Sequence, residues 1–108
     1  MAVMKSRNGM YVENFAGIDM ANTLHSITTA GESYTATEDC WAVGYIGNSN
    51  VAAQAQVFLD GYIICASYSN PVEGGIAPIC FPVKEGQQVT TRNSSGQIYQ
   101  IGFKRLRF

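Results

Sequence analysis

The sequence predicts an all-β fold, an antiparallel β-sandwich or jelly roll of about eight short strands, and three observations carry that prediction. Runs rich in Val, Ile, Tyr, Phe and Thr recur along the chain, and these side chains favour the pleated strand. Clusters of Gly, Asn, Asp, Ser and Pro separate the runs at short intervals, and each of these residues favours turns for a backbone reason. Helical spacing of apolar residues is nearly absent. The best helical window, "FAGIDMANTL", is short and holds Gly17 beside β-branched Ile18, two poor helix formers.

In chain order the expected strands cover residues 24–29, 33–35, 41–46, 51–59, 62–67, 79–83, 88–92 and 97–104, with "AGES", "GNSN", "DG", "SNPVEGG", "KEG" and "NSSG" between them. Residues 1–22 have weak periodicity and scattered charge, so they are expected to form an arm or attachment segment ahead of a sandwich domain at 23–108. In the strand at 51–59, Val51, Ala53, Ala55, Val57 and Leu59 share one face while Gln54 and Gln56 lie on the other, so the first face is core. Asp60-Gly61 supplies the positive φ angles of a two-residue type I′ hairpin. That turn pairs Leu59 with Tyr62 and carries the inward face on through Ile64 and Ala66. Phe58, Ile63 and Cys65 are left on the outer face, where a sheet with one wet side should not place them. A second copy of the chain is the expected cover, since small sandwiches with thin cores gain burial by symmetric association.

Composition removes several function classes. Charged residues make up 14% of the chain and the formal net charge is -1, so no long-range field draws in nucleic acid or an anionic membrane. The cluster "KRLRF" is too small for a nucleic-acid patch and is read as the guard of an edge strand or a contact with acidic residues of a neighbouring subunit. No run approaches the roughly 18 apolar residues of a membrane span, and no apolar segment of a signal peptide opens the chain. Cys40, Cys65 and Cys80 are an odd set without CxxC spacing, which excludes a complete disulfide framework and argues against a zinc site. All three are read as small buried hydrophobes. His25 is the single histidine, so no histidine cluster can bind a metal, and it is expected at a polar surface or an oligomer seam. The carboxylates fall in or beside turns, and the glycines form no phosphate cradle. No catalytic residue, cofactor or metal site is expected. Binding residues are sought instead in the loops, where Asn48, Asn50, Tyr68, Asn70, Arg92, Asn93 and Tyr99 combine amide and guanidinium groups with aromatic rings suited to sugars or polar protein contacts.

The stretches "SYTATEDCWAVGYI", "VFLDGYII", "PICFPVKEGQQVTTRN" and "IYQIGFKRL" resemble the small β-sandwich heads of bacteriophage fibres. Those heads are related in design to the trimeric jelly rolls of tumour necrosis factor and the globular heads of complement. The likeness spans residues 33–104. It implies a non-enzymatic virion protein, a homotrimer made in the host cytoplasm without a signal peptide, that binds a host-surface receptor or glycan. It also leaves open a capsid decoration or head-fibre protein that holds other virion proteins through residues 1–22. A soluble carbohydrate-binding module is the alternative from outside the virion.

Overall fold

The computed structural model describes residues 3–5, 11–13, 17–49, 54–67, 75–93 and 96–107, and among them every regular element is a strand. In order these are β1 (Val3–Lys5), β2 (Tyr11–Glu13), β3 (Gly17–Ile27), β4 (Ser33–Thr35), β5 (Cys40–Asn48), β6 (Gln56–Leu59), β7 (Tyr62–Ala66), β8 (Gly75–Val83), β9 (Gln88–Thr91) and β10 (Gln97–Arg107). All eight expected strands are present in whole or in part: β3, β5, β8 and β10 are longer than expected, while of the strand expected at 51–59 only 56–59 form β6 and 51–53 lie outside the described residues. β1 and β2 pair with each other; the rest form two antiparallel four-stranded sheets, ordered β3-β10-β5-β8 and β4-β9-β6-β7.

The connectivity follows from one turn. β6 pairs with β7, β5 with β8, β4 with β9 and β3 with β10, so residues 17–107 are a single long hairpin folded about Asp60-Gly61. Successive pairs fall in opposite sheets, which rolls the hairpin into a jelly roll. Asp60 and Gly61 have φ of 49° and 86°, as the type I′ turn requires. The Asp60 N–H donates to the Gln88 carbonyl at 2.8 Å, tying the turn to β9.

The sandwich is filled by alternate residues of both sheets. Ile27, Ala42, Ile46, Tyr99, Ile101 and Phe103 point inward from one, and Val57 and Val89 from the other, each with 1% exposure or less. At Gly44 the packing brings backbones together, because a Cβ there would lie 1.9 Å from the Gln100 carbonyl oxygen, and its φ is +149°.

Four expectations are corrected. Residues 17–24 of the "FAGIDMANTL" window are extended, and residues 17–22, expected in the arm, are the first half of β3. Its ladder partners decide this: Arg107, Leu106 and Arg105 of β10 pair with Gly17, Ile18 and Asp19. β10, which holds residues 104–107 of the "KRLRF" cluster, is therefore an inner strand between β3 and β5 and guards no edge. Within the chain, Arg105 forks onto Glu38 at 2.8 and 2.9 Å.

The hairpin faces also differ from the expected division. A bulge sets Ile63 opposite Phe58 but Cys65 opposite Val57, leaving Ile64 as the extra residue. Cys65 is thereby turned inward and packs against the core, while Tyr62 and Ile64, expected inside, are 81% and 41% exposed. Finally, Cys40 is buried but Cys80 is exposed, since Ile79, Phe81 and Val83 take the inward positions of β8.

Candidate functional site

Of the loop residues considered for binding, two lie inside the protein. Asn48 ends β5 on its inward parity and is buried, accepting a 2.7 Å hydrogen bond from the Ser67 hydroxyl. That hydroxyl accepts in turn from the Ala55 N–H at 3.0 Å. Tyr99 is also buried. Its hydroxyl accepts from the Gln56 N–H and lies within hydrogen-bond reach of the Gln56 and Arg92 carbonyls and the Gln97 side chain. Burial pushes the Tyr99 phenol above its ordinary range. Both residues join the two sheets and present nothing to a ligand. Arg92 and Asn93 are exposed just after β9, and Asn93 lies under Gly31. Asn50, Tyr68 and Asn70 fall outside the described residues.

His25 faces inward, opposite Phe103. Its ring stacks on Tyr34 of the other sheet at 4.6 Å and 7°, and its Nε2 is buried without a hydrogen-bond partner. Its surroundings are those of a core aromatic. Among the described residues no group of three or more His, Cys, Asp or Glu side chains could hold a metal.

The outer faces of the two sheets differ sharply. Across β4-β9-β6-β7 a row reads Ser33, Thr90, Phe58, Ile63, polar over two strands and apolar only toward the edge. Phe58 is half-buried and Ile63 is 54% exposed. On the other sheet the ladders across β10, β5 and β8 set Lys104 beside Trp41 and Pro82, Gly102 beside Val43 and Cys80, Gln100 beside Tyr45 and Pro78, and Ile98 beside Gly47 and Ile76. These rows lie on the parity opposite the buried Cys40, Ala42 and Ile46. Ile76, Tyr45 and Ile98 are 65%, 42% and 39% exposed, and Pro78, Cys80 and Pro82 are exposed as well.

The central strand β5 is thus apolar on both faces, whereas an antiparallel strand with one wet side should alternate. The single charge on these rows lies at one end of the face: the Lys104 side chain runs over Gly102 and donates to the Thr23 hydroxyl of β3 at 2.6 Å. Three strands about 4.8 Å apart and some eight residues long make a face of roughly 400 Å². That is the size of the largest patch a soluble monomer ordinarily exposes, which is often a contact surface.

No protein family matches this chain, and no curated protein does. Among solved structures, a family 35 carbohydrate-binding module from an environmental isolate is similar at 14% identity, over 100% of this chain and 85% of that chain, with a TM-score of 0.32.

Proposed function

We propose that this chain is a non-enzymatic, self-associating jelly-roll head: a homotrimeric fibre-head domain of a bacteriophage virion that presents its loops and turns to a host surface. The observation that carries this reading is the apolar outer face of β10, β5 and β8. A stable complex of standard size uses about 800 Å² per partner. With a polar rim around it, a face of roughly 400 Å² supplies about half of one partner's share of such an interface. The trimeric count and the virion setting come from the resemblance of residues 33–104 to phage fibre heads.

Sizing by sedimentation velocity at micromolar concentration is the test. The expected particle has three times the 11.7 kDa mass of the chain. Tyr45→Asp, which places a charge at the middle of the apolar face, is expected to yield a folded monomer, while Ile63→Asp, on the other sheet, leaves the trimer intact. A wild-type chain that sediments as a monomer, or a Tyr45→Asp trimer, overturns the reading. In the first case a soluble binding module takes its place.

A further inference from the structure

We propose that the tip of the β6–β7 hairpin is a binding site for a neutral sugar ring, an inference that rests on the host-surface part of the reading above and supplies its ligand class. The turn borders a concavity of about 360 Å³ lined by Leu59, Asp60, Tyr62, Ile63, Ile64 and Gln87. Tyr62 is 81% exposed, an aromatic ring held in the open beside an exposed Ile63 and Ile64.

The polar wall is held in place from the backbone. Asp60 Oδ1 accepts from the Gln88 N–H at 2.9 Å and Oδ2 from Gln87 Nε2 at 3.3 Å. The Gln87 Oε1 atom accepts from the Lys84 N–H at 2.8 Å. A carboxylate has about four acceptor sites and a primary amide two donors. The bonds named here use two of the four and one of the two, so both groups have hydrogen-bonding capacity beyond them.

A ring with an apolar C–H face and hydroxyls along its edge matches this set: the face lies on Tyr62, and adjacent hydroxyls donate to Asp60 and accept from Gln87. An apolar protein partner fits less well, because it would bury the Asp60 carboxylate while adding no donor to its remaining acceptor sites. An anionic ligand would meet the same charge with no cation in the lining. Edge pairing by a second copy is opposed by the bulge at Ile64, a device that turns a strand edge away from further pairing.

Saturation-transfer difference NMR with methyl α-mannoside, methyl β-galactoside, methyl α-rhamnoside and N-acetylglucosamine at millimolar concentration tests the site. At least one is expected to receive saturation from the wild-type protein. Tyr62→Ala should abolish it. Asp60→Asn, which still suits the type I′ turn, should weaken binding by about tenfold or more, the effect of losing charge-assisted hydrogen bonds. If none of the four binds, or if binding survives Tyr62→Ala, the site is refuted. Sedimentation of the same samples separates the two proposals: a trimer that binds no sugar overturns only this one, and a monomer that binds sugar at Tyr62 overturns only self-association.

Discussion

Glu38 and Arg105 show how a single pair couples a connection to a central strand. Arg105 holds the Glu38 carboxyl below the ordinary carboxylate range by a forked hydrogen bond. At the same edge of β3, Asp19 is lowered too, first by the Asn22 side chain and with a smaller contribution from Arg107. A carboxyl whose folded pKa is depressed contributes stability above its unfolded value and loses it as pH falls through the folded one. The urea midpoint is therefore expected to fall between about pH 6 and about pH 3, and Arg105→Gln should flatten the Glu38 part of that fall. An unchanged profile in Arg105→Gln would show that the pair does not couple to folding. The size of the effect is small, since both side chains are substantially exposed. Other residues show what strand parity reveals and loop composition hides. Asn48 and Tyr99 look like binding residues beside turns, yet 48 shares parity with Ala42 and Ile46, and 99 with Ile101 and Phe103. Tyr99 lies within the strand expected at 97–104 and Asn48 one step of alternation past the one at 41–46, so alternation alone places both inside.

Among the elements, β5 governs the most. It is paired on both sides, packs the core with one face and carries the apolar outer rows with the other. Gly44 lets it do so, because any side chain there would meet the Gln100 carbonyl at a backbone angle that L-residues rarely adopt. Gly44→Ala is expected to cost about 3 kcal/mol or more, read from chemical denaturation, and more than alanine at Gly86, which shares the positive φ but has no atom within 4 Å of an added Cβ. A Gly44→Ala protein of wild-type stability would mean that β5 and β10 can part without loss. The strands themselves were legible because their composition and punctuation are local. Their lengths were not: β3 runs through a weakly helical window because β10 offers it hydrogen-bond partners, and a ladder formed with residues some eighty positions away overrides local propensity.

At the scale of the whole molecule, the apolar face is what distinguishes this sandwich from one wet on both outer sides. Cys80 reports on it directly, since it is exposed on that face, on the outermost strand β8, while Cys40 is buried and burial raises the thiol pKa of both Cys40 and Cys65. A bulky maleimide at high protein concentration is expected to spare Cys80 in the associated state and to label it on dilution or in Tyr45→Asp. Rapid labelling at every concentration would show the face open to solvent. By itself the sequence determined the fold class, the eight strands of the sandwich and the type I′ turn at Asp60-Gly61, and it led to the expectation of a second apolar surface. All of these rest on interactions between near neighbours or on side-chain alternation. The tertiary structure alone decided which surface that is. A one-residue bulge in β7 turned Cys65 into the core and Ile64 out of it, and the cross-strand register aligned Trp41, Val43 and Tyr45 with Pro82, Cys80 and Pro78. Register and bulges are set by the fit of strands distant in sequence, and a shift of one residue exchanges the two faces of a strand.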